Sequence, residues 1–208
     1  MNSATSSFMA QGESGAIEAL RDVPAEGEMR GTAFIAHPHP LFGGTMQNKV
    51  VQTLARAFVQ CGWQAIRFNF RGVGASAGSY DEGRGEAVDM LGLIQQVAPQ
   101  GPLALAGFSF GAFVTSHVVQ ALGTERAPEK LVLVGTAASR FAVAPVASDL
   151  HERTLVLHGE QDDTVPLSSV LDWALPQTLP ITVIPGVEHF FHGQLPLLKS
   201  LVMRHLRA

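Results

Sequence analysis

The stretch that most constrains this chain is Leu103-Ala-Leu-Ala-Gly107-Phe108-Ser109-Phe110-Gly111-Ala112-Phe113. A short apolar run enters Gly-x-Ser-x-Gly and leaves as an apolar helix start. These are the parts of a strand that turns sharply into a helix, with a serine at the apex. A serine at such an apex is backbone-strained, and its surroundings are crowded. Gly107 and Gly111 remove the side chains that would keep the chain from closing so tightly.

The rest of the chain fits around that turn. Strands are expected over 16–21, 31–36, 64–70, 130–134, 154–158 and 181–184, in addition to the one ending before Ser109. Helices are expected over 47–60, 84–97, 110–122, 167–174 and 194–206. Val50, Val51, Leu54, Ala57 and Phe58 recur at helical spacing, and Gly62 stops that helix. Short apolar strands alternating with helices imply a mostly parallel sheet with helices on both faces. Residues 1–12 are small and polar and are expected to be a flexible N-terminus, leaving 13–208 as a single domain. The 208 residues, 46% of them hydrophobic, suffice for one well-buried domain. Only about twenty residues separate the strands at 130–134 and 154–158, too few for an inserted lid.

Charge and composition exclude several functions. A net charge of −4 offers no basic stripe for nucleic acid. No apolar run approaches the length of a membrane span. Cys61 is the only cysteine, so no internal disulfide forms. The first residues lack a basic segment followed by an apolar core, so a cytoplasmic protein is expected. Nothing in the residues sets an oligomeric state.

In open parallel sheets, ligands bind beyond the carboxyl ends of the strands. Ser109 follows one strand. His158-Gly-Glu160-Gln-Asp162-Asp163-Thr-Val-Pro166 follows another, and Gly186-Val-Glu-His189-Phe190-Phe191-His192 follows the last. A hydroxyl, a carboxylate and an imidazole therefore meet on one edge in the order serine, acid, histidine. Glu160, Asp162 and Asp163 compete for the acid, and His189 and His192 for the base. A serine hydroxyl needs an imidazole to take its proton as it attacks. The carboxylate then holds the imidazole tautomer.

Oxyanion donors are expected from the Phe110 N–H, at a helix start, and from the loop after the 31–36 strand. In that loop Pro38 and Pro40 have no N–H, which leaves Leu41 as first choice and His39 behind it. His39, Phe42, Phe110, Phe190, Phe191 and His192 are expected to line a substrate pocket. His37 and His39 look like a metal pair, but no further ligands accompany them, so no metal is expected and a rigid pocket-shaping loop is the better reading. Gly72-x-Gly74 lacks the spacing of a dinucleotide fingerprint. It reads as a tight turn in which Arg71 holds neighbouring loops.

With these residues in view, the chain resembles the α/β-hydrolase superfamily, in particular small bacterial lidless members related to dienelactone hydrolases. The likeness runs from about residue 31 to the C-terminus. It rests on His37-Pro-His-Pro-Leu-Phe-Gly-Gly44, Asn69-Phe-Arg-Gly-Val-Gly-Ala-Ser76, Gly107-Phe-Ser-Phe-Gly111, His158-Gly-Glu-Gln-Asp-Asp-Thr-Val-Pro166 and Gly186-Val-Glu-His-Phe-Phe191. It implies a three-layer α/β-hydrolase fold without a lid domain, Asp162 as the acid and His189 as the base. Dienelactone hydrolases carry a cysteine in the turn, whereas this chain has Ser109, so ordinary carboxylic esters fit better than dienelactones. The resemblance implies a small-molecule ester substrate and no cofactor. The same machinery also serves thioesterases and amidases, and the fold also serves small-molecule binding proteins.

Overall fold

The computed structural model describes residues 4–208 and contains one eight-stranded sheet. In chain order the elements are β1 (Ala4–Gly12), β2 (Gly15–Val23), β3 (Gly31–Ala36), α1 (Lys49–Gln60), β4 (Trp63–Phe68), α2 (Arg84–Val97), β5 (Leu103–Phe108), α3 (Phe110–Leu122), β6 (Lys130–Val134), β7 (Thr154–Gly159), α4 (Leu167–Ala174), β8 (Ile181–Ile184) and α5 (Leu195–Arg207). The strands lie in the order β1-β2-β4-β3-β5-β6-β7-β8. From β4 to β8 every neighbour is parallel, while β1 and β2 add an antiparallel edge.

Alternation along the strands divides the core into two layers. Phe34, Leu103 and Leu105 face Met90 and Leu93 of α2, Val114 and Val118 of α3, and Val170 of α4. Ala33, Ile35, Ala104 and Ala106 face Leu54 and Phe58 of α1 and Leu198 and Val202 of α5. The apolar set expected for α1 is buried as a group, and the Asn48 side chain caps the helix by accepting from the Val50 N–H at 2.8 Å. Helices thus cover both faces, as a sheet of apolar parallel strands requires. Between β6 and β7 the chain forms coil and one 3₁₀ segment, Ser148–Arg153, and no inserted domain. Among the described residues no helix is long and apolar enough to cross a membrane.

One element departs from expectation. From Ala4 onward the segment expected to be flexible is a nine-residue strand, β1, paired along its length with β2; residues 1–3 lie outside the described residues. Its own side chains are mostly exposed, and only Phe8 and Ala10 pack partly against the core. The ladder to β2 and polar contacts to α2 complete its anchoring. The Gln11 N–H donates to Gln96 Oε1 at 3.0 Å, Gln96 Nε2 donates back to the Gln11 carbonyl at 2.6 Å, and the Glu13 N–H donates to Asp89 Oδ1 at 3.0 Å. The hairpin closes through Glu13-Ser14 between Gly12 and Gly15, a loop without the Asn-Gly or Gly-X pair that marks two-residue hairpins in a sequence. The expected role of Arg71 is present in this region. Its guanidinium bonds Asp89 at 2.8 Å and Glu13 at 3.2 Å, tying the hairpin loop to α2.

β4 lies on one side of β3 and β5 on the other, so the chain changes winding direction between β3 and β5. The loops leaving these two strands, 37–48 and the turn at Ser109, flank the crevice where open α/β sheets bind ligands.

Candidate active site

Ser109 joins β5 to α3 at φ 57° and ψ −117°, a conformation that L-residues rarely adopt. The surrounding packing holds it there. A Cβ on residue 107 would collide with the Gly111 carbonyl, and one on residue 111 would collide with the carbonyls of Ala36 and His37. The two glycines therefore serve different contacts. Gly107 lets strand and helix close on each other, and Gly111 lets the helix start press against the end of β3. The Ser109 N–H donates to the Val134 carbonyl at 2.8 Å, which ties the turn to β6.

Three side chains from three loops meet here. His189 Nε2 lies 3.0 Å from Ser109 Oγ, and His189 Nδ1 lies 2.6 Å from Asp162 Oδ2. A carboxylate only accepts, so Nδ1 carries the proton and Nε2 is left to accept from the serine hydroxyl. Asp162 is itself fixed, its Oδ1 accepting from the N–H groups of Val165 at 2.7 Å and Thr164 at 3.0 Å. The imidazole packs on Phe108 and Phe190, with ring centroids 4.9 and 5.0 Å away. Gly135 makes room for it, since a Cβ there would lie 3.1 Å from His189 Cε1. Of the competing groups, Asp163 is exposed beside Thr164, Glu160 accepts from the Gly186 N–H, and His192 is exposed and pairs with Glu188.

Below Asp162 lies a second imidazole that the sequence reading left without a role. His158 is fully buried, with Nε2 2.9 Å from the Val165 carbonyl and 3.6 Å from Asp162 Oδ2. Burial lowers its pKa below the ordinary histidine value. The neutral ring donates to Val165, whose N–H in turn holds Asp162.

The loop after β3 corrects one expectation and sharpens another. Leu41 does not offer its N–H to the cleft. Within the turn Pro40–Phe42 that N–H donates to His39 Nδ1 at 3.2 Å, and the side chain is 66% exposed. The N–H groups of His39 and Phe110 donate to no protein acceptor among the described residues. Phe110 is the first residue of α3, where helical N–H groups have no intrahelical partner. His37 is fully buried, and both of its ring nitrogens are taken. Nδ1 donates to the Pro38 carbonyl at 2.6 Å, and Nε2 accepts from the Phe70 N–H at 3.0 Å. Burial lowers its pKa to about 4. Neither nitrogen is left to ligate a metal.

A cleft of about 330 Å³ opens above Ser109. His39, Phe42, Phe110 and Phe190 line it, as expected, together with Phe141, Asn48, Thr164 and Arg140. Two expected lining residues do not. Phe191 is fully buried against α1 and α5, because its φ of 56° turns the chain inward after Phe190. His192 is turned to solvent by its pairing with Glu188 at 2.9 Å. Phe141 and Arg140 come from the coil after β6, where no motif marks them. The His39 ring stands among Phe42, Tyr80, Phe110 and Phe141, with centroids 4.8 to 5.8 Å away.

Comparison with known proteins places this arrangement. No family model matches the chain. A Xanthomonas campestris α/β serine hydrolase without a lid is 32% identical, superposes with a TM-score of 0.86, and the match covers 100% of this chain and 95% of that one. An α/β serine hydrolase homologue from Coxiella burnetii is 36% identical with a TM-score of 0.80, covering 97% of each chain. An uncharacterized protein of Rickettsia prowazekii is 31% identical over 182 residues, 76% of this chain and 71% of that one. The chain belongs to the lidless α/β serine hydrolases. At that level it is a hydrolase.

Proposed function

We propose that the protein is a serine carboxylesterase that cleaves accessible, short-chain carboxylic esters through an acyl-enzyme. The reading rests on one observation, the chain Ser109–His189–Asp162 joined at 3.0 and 2.6 Å on the edge of an open cleft. Ser109 Oγ bonds to the ester carbonyl carbon as its proton passes to His189 Nε2. Asp162 stabilises the imidazolium that results. Charge collects on the carbonyl oxygen, for which the free N–H groups of Phe110 and His39 are the donors. His189 then protonates the departing alcohol. A water molecule, deprotonated by the same imidazole, releases the acid and restores Ser109.

The test is hydrolysis of short para-nitrophenyl esters near pH 8 by wild type and Ser109→Ala. Turnover by wild type with a loss of about 10⁴-fold or more in the variant supports the reading. Equal activity in both would remove Ser109 from the chemistry. Because no domain covers the cleft, a strong preference for emulsified long-chain esters would overturn the substrate range.

A further inference from the structure

Among the residues that line the cleft, none is acidic and one carries a fixed charge, Arg140. Its guanidinium makes no hydrogen bond or ion pair with any described residue. The buried arginines contrast with it, Arg67 being bound to Asp22 and Arg71 to Asp89. The chain carries more acidic than basic residues, 18 against 14, so an unpaired arginine on a cleft with no other fixed charge runs against the molecule's overall charge. It is also close enough to act on the cleft. Burial lowers the pKa of His39, and the Arg140 charge lowers it further. Asp162, the acid of the triad, is buried and bonded to Val165, Thr164 and His189, not to Arg140.

A guanidinium offers a planar fork of donors matched to a carboxylate. We infer that the substrates are esters that carry a carboxylate of their own, which Arg140 binds while the aromatic walls of Phe42, Phe141 and Phe190 hold the apolar part between. The inference rests on the proposed esterase reading and narrows its substrate class. The carboxylate can belong to the acyl half or to the alcohol half. Either way the group recognised is the same.

Two matched pairs test it and separate the halves. Para-acetoxybenzoate and its methyl ester differ by a charge on the leaving group. Para-nitrophenyl hydrogen adipate and para-nitrophenyl methyl adipate differ by a charge on the acyl group. The quantity read is the ratio of kcat/KM within a pair, which cancels any general loss of activity or folding. Wild type is expected to favour the charged member of at least one pair by roughly ten- to a hundredfold, the size of one charge-assisted pairing. The ratio should shrink in Arg140→Lys, approach one in Arg140→Ala and invert in Arg140→Glu. No preference in wild type for either pair, or a preference that survives Arg140→Glu, overturns the inference. A second readout is independent of turnover. Calorimetric binding of para-acetoxybenzoate and of monomethyl adipate, each with one carboxylate, to Ser109→Ala protein should weaken by a similar factor on adding Arg140→Ala. If that holds while wild type cleaves nothing, the subsite stands and the esterase reading falls. Equal binding with and without Arg140 would overturn the subsite.

Discussion

At the floor of the cleft, Ser109, His189, Asp162 and His37 are each less than a tenth exposed, and each has its polar atoms tied to a named partner. At the rim, Phe42 is 79% and Phe190 41% exposed, and the Arg140 side chain pairs with no group among the described residues. The floor is over-determined: a strained φ at Ser109 persists because two glycines, a strand end and a helix start all converge on it. The rim is held by ring-on-ring packing, Phe42 on His39 and Phe190 on Phe108 and His189, without hydrogen bonds from its side chains to any described residue. Substitutions at the floor should therefore remove the chemistry or the fold, whereas those at the rim should move only substrate choice.

Four measurements would sharpen or break that contrast. The largest effect is expected from Asp162→Asn, which leaves the shape of the floor but gives His189 Nδ1 a donor where it needs an acceptor. Activity on a short ester should fall by about 10⁴-fold with the circular dichroism spectrum unchanged. A fall of less than tenfold would mean that the carboxylate does not set the tautomer.

Gly111→Ala comes next. Its Cβ meets backbone carbonyls, which cannot rotate away, so urea unfolding should show a loss of about 3 kcal/mol or a failure to fold. A wild-type midpoint would show that the helix start can move away from β3.

The buried histidines give the third. His37 is neutral in the folded state down to about pH 4, while the unfolded chain takes up the proton near pH 6.5. Between those values the unfolded state binds more protons, so stability falls as pH drops and levels off below about 4. The loss attributable to His37 is about 3 kcal/mol at most. Burial shifts His158 and His205 in the same direction and adds to the slope. Imidazole NMR titration would assign the share of His37. A His37 ring that protonates near 6.5 would refute its burial as the cause.

The smallest effect is expected at the rim. Phe42→Ala should change kcat/KM for short neutral esters by about threefold or less, since a side chain so exposed offers a ligand only part of its face. A loss as large as that of Asp162→Asn would erase the distinction between floor and rim.

Much of this molecule was legible before folding. The parallel strands and the helices of both layers were readable because each is a local periodic pattern, and α2, α3 and α4 begin and end where that pattern does. Ser109 was readable because Gly-x-Ser-x-Gly is the local condition for so tight a turn. Asp162 and His189 followed from their places after strands, with the family resemblance choosing them over neighbours one to three residues away.

What the chain alone did not determine has a common physical cause. β1 is mostly small and polar, and its pairing with β2 is completed by Gln96 on Gln11 and by Asp89 on the hairpin loop, about eighty residues further along the sequence. Leu41 and His39 both have an N–H, and only the direction of one turn decides which of them is spent on a neighbouring ring. Phe191 and His192 sit beside Phe190 in sequence, yet one positive φ sends the first into the core, and pairing with Glu188 holds the second in solvent. Arg140 belongs to no motif and reaches the cleft only because the coil after β6 folds beside the loop after β3. Local spacing determined which elements form and which chemistry they carry. The direction of each donor, ring and charge at their ends was decided by contacts between segments far apart in the chain.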